Sequence, residues 1–174
     1  MTTQKCLTGM AVLFLAGALS ASGADRKVAT AELKDAKGQT VGQVKLKQGR
    51  NAVTLSAKVT GLTAGEHAIH VHTVGKCEAP DFKTAGGHFN PENKKHGMMN
   101  PDGHHAGDMP NFKIGANGKG SYTGILQGVT LAGAGVNSLF HEGGTAVVIH
   151  EKADDMKTDP AGNAGARVAC GPVQ

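Results

Sequence analysis

The chain has 174 residues, a length that predicts one domain, and a formal charge of +4. Glycine accounts for 26 residues, tryptophan is absent and aromatic residues make up 3%, so the composition disfavours a helical bundle and favours a fold with many tight turns. The charge comes without an arginine-rich run or interleaved aromatic residues, which argues against nucleic-acid binding but suits the attraction of small anions.

The first 24 residues have the layout of a secretory signal peptide. Lys5 precedes an apolar run over residues 7–19, and small residues fill positions 20–24. A transmembrane anchor is the less favoured alternative, because the run falls short of the ~20 apolar residues that a span needs. We predict a signal peptide at residues 1–24, cleaved after Ala24 or Ala21. The domain at residues 25–174 is then secreted, with the periplasm as the favoured compartment and no stable membrane insertion.

Alternation of apolar and polar side chains predicts β-strands along the chain. Val44 and Leu46 alternate with polar neighbours, and residues 53–59 carry apolar side chains at every odd position. Further strands are predicted at residues 66–73, 122–129 and 145–150, and no segment has the pattern of an amphipathic helix. Two long loops are predicted at residues 77–113 and 151–166, both rich in turn-forming and polar residues.

Seven of the nine histidines lie between His67 and His105. His70 and His72 are two positions apart in a predicted strand, so their side chains share one face and can chelate a metal ion. The alternative is a solvated polar face. His150 follows an apolar run at residues 146–149, where it is either a hydrogen-bonded core histidine or the third member of a copper- or zinc-binding cluster.

The first long loop carries a second set of metal-binding side chains. Imidazole and carboxylate ligands suit a tetrahedral zinc site, and such a site would hold a long loop in one shape. The set consists of His88, His96, His105 and Asp108. The alternative is a hydrophilic loop in which these histidines are incidental.

Six segments, in order, resemble the copper,zinc superoxide dismutase family, in its bacterial secreted branch. They are residues 65–72 (GEHAIHVH), 86–91 (GGHFNP), 96–97 (HG), 105–108 (HAGD), 147–155 (VVIHEKADD) and 162–171 (GNAGARVACG). The resemblance covers most of the chain after residue 60. It implies an all-β fold, an eight-stranded antiparallel Greek-key β-barrel or sandwich with two long functional loops.

The resemblance also implies an enzyme, a superoxide dismutase with copper and zinc as cofactors. Its substrate is the superoxide anion, which a copper centre alternating between Cu(II) and Cu(I) converts to oxygen and hydrogen peroxide beside a structural zinc. The implied copper ligands are His70, His72, His88 and His150, and the implied zinc ligands are His88, His96, His105 and Asp108. The implied catalytic residues are the bridging His88 and the anion-guiding Arg167.

Three further roles follow from the same resemblance. Asp154 matches a carboxylate that links a copper ligand to a zinc ligand through hydrogen bonds, and His67 matches a structural histidine. Cys77 and Cys170 match the intrasubunit disulfide, with two free buried thiols as the alternative. The resemblance leaves the formation of a homodimer open, because the loop that carries Cys77 differs from that of the animal enzymes.

A rival interpretation is a secreted copper- or zinc-binding protein of the same fold that serves storage or delivery without turnover. Such a protein is expected to lack a copper ligand or the guiding arginine, and this chain retains both. A group near the zinc ligands, made of Met98, Met99, His104 and Met109, has a similar pair of interpretations. It either binds Cu(I) or covers part of the barrel, and the second interpretation is favoured.

Overall fold

The computed structural model describes residues 26–174, and the predicted signal peptide at residues 1–24 lies outside that range. The described chain forms nine β-strands and a one-turn 3₁₀ helix at Lys83–Ala85. The strands are β1 (Val28–Asp35), β2 (Thr40–Gln48), β3 (Ala52–Val59), β4 (Gly65–His67), β5 (Ile69–His72), β6 (Phe112–Ile114), β7 (Gly120–Gln127), β8 (Ala146–His150) and β9 (Arg167–Pro172).

All the strands belong to one antiparallel sheet in the order β4-β6-β7-β3-β2-β1-β9-β8-β5. Strands β3 and β7 pair although three strands separate them in sequence, and β1 pairs with the last strand, β9. Such long returns to a non-consecutive neighbour are typical of Greek-key connections. The predicted all-β antiparallel fold is confirmed.

The core follows from the alternation that the sequence predicts. In the register of the sheet, Ala31 pairs with Val44, Val44 with Ala57 and Ala57 with Tyr122, and all four side chains are buried. Because successive side chains of a strand point to opposite faces, the residues that precede and follow each of these four in its strand face solvent. Small and large side chains alternate across this row, which lets a barrel with few aromatic rings fill its interior.

The structure has one strand more than the eight that the resemblance implies, and residues 66–73, predicted as one strand, form two. The break falls at Ala68, whose amide donates to the Lys152 carbonyl at 2.8 Å and whose carbonyl accepts from the His150 amide at 2.9 Å. Both partners belong to β8 or to the loop after it. Ala68 therefore leaves the ladder between β4 and β6 to hold the second long loop against the barrel.

The first long loop is held against β5 by a triangle of backbone hydrogen bonds. The Val71 amide donates to the Gly107 carbonyl, the Gly107 amide to the Phe89 carbonyl and the Phe89 amide to the Val71 carbonyl, at 2.8–2.9 Å. A Cβ at Gly107 would collide with the Val71 carbonyl, so this approach requires glycine. Both long loops thus lie over β5 and β8, the strands that carry His70, His72 and His150.

Within residues 26–174, helical structure falls short of the length and apolar character that a membrane-crossing helix requires.

Candidate metal centre

Four histidines converge where β5, β8 and the first long loop meet. Alternation along β5 places His70 and His72 on one side of the strand, and His150 ends the paired strand β8. An isolated β-bridge between His72 and His88 brings the loop histidine to the other three. All four are buried, and one candidate ligand atom from each lies within 4.8 Å of the others.

The four histidines His70, His72, His88 and His150 form the copper-type set, and each ring has one nitrogen turned toward the centre of the cluster. His70 Nδ1 and His88 Nε2 are buried and have no hydrogen-bond partner among residues 26–174. His72 Nε2 and His150 Nε2 lie 3.3 Å apart. Buried polar atoms are normally paired, so converging imidazole nitrogens without protein partners fit a metal ion, and imidazole suits copper and zinc.

A second cluster shares His88 and is centred on one carboxylate oxygen. Asp108 Oδ1 lies 2.8 Å from His88 Nδ1, 3.1 Å from His96 Nδ1 and 3.3 Å from His105 Nδ1. Its other oxygen accepts from the amides of Gly97 and His105 at 2.9 and 3.0 Å. Three imidazoles and a carboxylate are a four-ligand donor set of the kind that structural zinc takes, normally in tetrahedral geometry.

Asp154 connects the two clusters. Its Oδ2 lies 2.9 Å from His70 Nε2, and its Oδ1 lies 3.0 Å from His96 Nε2. A Cβ at Gly162, which has φ +64°, would collide with the Asp154 carboxylate. The second long loop can therefore pass this point only with glycine, and the carboxylate is fixed by the chain around it.

Burial sets the protonation of three histidines of the copper-type set, namely His72, His88 and His150. Burial, together with neighbouring imidazoles, lowers the pKa of His88 to about 4 and that of His150 to about 3. The same causes hold the pKa of His72 well below its usual value. These rings are therefore neutral at physiological pH, which is the state that a metal ligand requires.

In the second cluster, the zinc-type set of His88, His96, His105 and Asp108, the carboxyl group of Asp108 stays ionised. Burial favours its neutral form, but hydrogen bonds from His105, His88 and His96 hold the pKa of Asp108 far below its usual range. Burial also lowers the pKa of His96, but Asp108 and Asp154 outweigh that effect and raise the pKa to about 9. A divalent cation that binds here replaces a proton on His96, so binding is coupled to proton release.

Comparison with known proteins connects this geometry to a family. A family model described as copper/zinc superoxide dismutase matches residues 40–173. The chain is 48% identical over 145 residues to Cu-Zn superoxide dismutase 1 of Aquifex aeolicus, covering 83% of this chain and 86% of the relative. The chain belongs to the copper/zinc superoxide dismutase family. The resemblance seen in the sequence is confirmed.

Further members of the family are similar in sequence and in fold. The chain is 41% identical over 148 residues to the Cu-Zn superoxide dismutase of Caulobacter vibrioides, covering 84% of this chain and 85% of that one. Its fold matches the crystal structure of a superoxide dismutase-like protein from Bacillus subtilis with a TM-score of 0.78 and 39% identity, over 82% of this chain and 96% of that one. The Cu/Zn superoxide dismutase from Brucella abortus matches with a TM-score of 0.67 and 26% identity, over 84% and 99%.

In this member of the family, Arg167 lies at the mouth of the copper-type set. A cavity of about 310 Å³ is lined by His72, His88, His150 and Arg167, among others. The guanidinium donates from Nη1 to the Phe82 carbonyl at 2.7 Å and from Nη2 to the Gly86 carbonyl at 2.6 Å. A guanidinium keeps its charge at neutral pH, so a fixed cation faces the cavity.

The predicted disulfide between Cys77 and Cys170 is present and joins the first long loop to β9. Cys77 and Cys170 pack in a small apolar cluster with Phe82, Ala85 and Val148. The disulfide therefore anchors the segment whose carbonyls hold Arg167.

The structure separates the group near the zinc ligands that was made of Met98, Met99, His104 and Met109. Met109 is fully buried in the barrel core, whereas Met98 and Met99 are 46% and 63% exposed. His104 Nδ1 lies 2.7 Å from the His105 carbonyl oxygen. His67, predicted as a structural residue, lies between the His150 and Thr63 carbonyl oxygens at 2.7 and 3.0 Å.

The sequence did not predict the roles of two residues that position Arg167. Phe82 and Gly86 act through their carbonyl oxygens, and Gly86 O also accepts a hydrogen bond from His72 Nδ1 at 2.9 Å. A backbone carbonyl leaves no signature in residue type. The available signals were indirect, namely the start of the GGHFNP segment at Gly86 and the apolar Phe82 between two charged neighbours.

Proposed function

We propose that this chain is an active superoxide dismutase, which converts superoxide to oxygen and hydrogen peroxide. The observation that carries the proposal is the pair of buried ligand sets that share His88. An intact copper set distinguishes an enzyme from a binding protein of the same fold, because turnover needs a redox metal that an anion can reach. The family relationship supports the same conclusion.

The proposed copper ligand atoms are the inward-facing nitrogens His70 Nδ1, His72 Nε2, His88 Nε2 and His150 Nε2. The proposed zinc ligand atoms are Asp108 Oδ1 and the Nδ1 atoms of His88, His96 and His105. When bound, copper supplies a reversible one-electron exchange, and zinc, which has no redox role, holds the loop ligands in place. Asp154 orients one ligand of each set through its two oxygens.

Arg167 and His88 are the proposed catalytic residues. Arg167 binds and orients the incoming anion, since its guanidinium is fixed by two carbonyls and faces the cavity beside the copper set. Dismutation of two superoxide anions consumes two protons. His88 Nε2 has no protein partner among residues 26–174, so whenever it does not hold copper this nitrogen would be free to take up a proton and pass it to the reduced product.

The test compares variants that remove one ligand from one set. His150 belongs only to the copper set and His105 only to the zinc set. His150→Ala is expected to lose copper and superoxide decay while it retains zinc, and His105→Ala to lose zinc. His104→Ala, outside both sets, is the matched control and is expected to keep both metals.

Metal content by elemental analysis and direct observation of superoxide decay provide the readouts. The enzyme assignment is wrong if fully loaded wild-type protein leaves superoxide decay unchanged. Retention of copper without turnover would instead favour the storage or delivery protein. The ligand assignment is wrong if His150→Ala and His105→Ala lose the same metal.

We also propose that residues 1–24 are a signal peptide, that residues 25–174 form the mature domain and that the protein is exported to the periplasm. The disulfide supports export, because such bonds persist in oxidising compartments. The mass of the mature protein in a periplasmic extract tests the cleavage site. Association into a homodimer is a further hypothesis, and sedimentation equilibrium tests it by giving the mass of one chain or two.

A further inference from the structure

The two long loops meet at a contact that is rich in methionine. Four methionines lie in residues 26–174, and three of them are at this contact, namely Met98, Met99 and Met156. Met98 and Met99 are the central residues of a turn closed by a hydrogen bond from the Asn100 amide to the Gly97 carbonyl at 3.0 Å. The fourth, Met109, is in the core.

A backbone hydrogen bond joins the turn to the other loop. The Met99 amide donates to the Met156 carbonyl at 3.0 Å, so residues 57 positions apart in the chain are neighbours here. A Cβ at Gly97 would collide with the same carbonyl, which shows how closely the two backbones approach. The Asn100 side chain donates to the His96 and Lys157 carbonyls at 3.1 and 3.4 Å. The contact is therefore a defined junction of both metal-carrying loops.

Core packing does not explain the methionines of this turn. Met98 is 46% exposed and Met99 is 63% exposed, whereas Met156, whose carbonyl accepts from the Met99 amide, is partly buried. Large apolar side chains at the apex of a surface turn bury little area and so contribute little to folding. Neither residue belongs to the copper set or the zinc set. A turn with the same backbone could carry polar residues at both positions.

Thioethers at such a junction have a defined metal preference. Methionine sulfur is a soft, uncharged ligand that suits Cu(I) and disfavours hard cations, whereas zinc in proteins is bound by cysteine, histidine and carboxylate ligands. A monovalent ion needs less compensating charge than a divalent one, which suits neutral ligands. We propose that Met98, Met99 and Met156 form a Cu(I)-binding site on the surface, separate from the two histidine sets. The site captures copper in its reduced state, and it does not depend on the dismutation proposed above.

The test uses the holoprotein with both histidine sets filled. After reduction by ascorbate, it is titrated anaerobically with Cu(I) against a chromophoric Cu(I) chelator, and X-ray absorption identifies the ligands. We expect one further Cu(I) per chain, with sulfur neighbours. The Met98→Leu/Met99→Leu variant is expected to bind it more weakly by about tenfold or more, since even loss of an outer hydrogen-bond partner costs a metal site that much.

Met109→Leu is the matched control, because it removes a thioether from the core and leaves the turn intact. Met156→Leu tests the second loop by a single conservative change, and thermal unfolding checks that each variant is folded. The proposal is overturned if no Cu(I) binds beyond the histidine sets, if the added copper has only nitrogen neighbours, or if Met98→Leu/Met99→Leu binds as tightly as Met109→Leu. Superoxide decay by the fully loaded variants is expected to match the wild type, so failure of the dismutase proposal is measured separately.

Discussion

Arg167 donates a hydrogen bond from Nη2 to the carbonyl oxygen of Gly86 at 2.6 Å. The same oxygen accepts a hydrogen bond from His72 Nδ1 at 2.9 Å. One backbone group therefore positions both the proposed anion-binding cation and a proposed copper ligand. Because the two side chains share an acceptor, the position of Arg167 relative to His72 depends on the loop that carries Gly86.

Arg167→Lys is expected to slow superoxide decay although the positive charge is kept. Lysine has no planar fork that can bond two carbonyls at once, so its ammonium is not fixed at the cavity. Arg167→Leu removes the charge as well and is expected to slow decay further, by about tenfold or more, as loss of electrostatic guidance does in charged clefts.

Stopped-flow observation of superoxide at equal copper content measures both effects. Arg50→Leu is the control, because Arg50 is an exposed arginine between β2 and β3. Equal rates for Arg167→Leu and Arg50→Leu would contradict the role of Arg167.

Asp154→Asn is expected to weaken the retention of both metals. An amide offers one acceptor oxygen, whereas the carboxylate accepts from His70 Nε2 and from His96 Nε2. Loss of such an orienting partner typically costs about 10- to 100-fold in metal affinity. Competition with a chelator, followed by elemental analysis, gives the affinity for each metal.

Asp155→Asn is the neighbouring control for this change. Asp155 is exposed, and its Oδ1 accepts from the Lys157 and Thr158 amides instead of from a ligand ring. If both variants hold copper and zinc as tightly as the wild type, Asp154 does not orient the ligands.

Replacement of both cysteines, Cys77→Ala/Cys170→Ala, is expected to lower the free energy of unfolding. The cross-link joins residues 93 positions apart. On the chain-entropy account, such a loop restrains the unfolded chain by about 4–5 kcal/mol. Urea unfolding of the metal-free proteins measures the difference without the contribution of metal binding. An unchanged free energy would show that the disulfide acts only on the site.

Tyr122→Phe is expected to leave stability unchanged or to raise it by up to about 1 kcal/mol, because it removes a polar group that is not paired. Tyr122 Oη is buried and has no hydrogen-bond partner among residues 26–174. Phenylalanine keeps the ring, which lies 5.7 Å from the ring of Phe112. Chemical denaturation near neutral pH provides the measurement, and a large loss of stability would show that the hydroxyl is bonded.

The same tyrosine makes stability depend on pH in the alkaline range. Burial raises the pKa of Tyr122 from its usual value near 10 to about 12. Between these values the unfolded chain releases the proton and the folded chain keeps it, so stability falls as pH rises. The fall is expected to be smaller in Tyr122→Phe, which lacks this ionisable hydroxyl. Tyr122 is the only tyrosine in the chain, so tyrosinate absorbance reports its pKa directly.

Alternation and residue type were enough to predict much of the architecture. The patterns around Val44 and Leu46 and over residues 53–59 correspond to β2 and β3, because a strand with one buried face must alternate. Strands β1, β6 and β9 were missed. In β1, two of the inward side chains are Ala29 and Ala31, which give a weak apolar signal. The break at Ala68 was missed because its hydrogen-bond partners lie more than 80 positions away.

The sequence by itself determined which residue types are available to the site, and its motif order indicated the family. His70 and His72 share a face by the geometry of any strand. Only the tertiary structure decided which ring nitrogen of each histidine faces its neighbours, and that Met109 lies in the core while Met98 and Met99 lie at the surface. Only it decided that the Phe82 and Gly86 carbonyls hold Arg167. These outcomes depend on backbone groups and on contacts between distant segments, neither of which leaves a pattern in neighbouring residues.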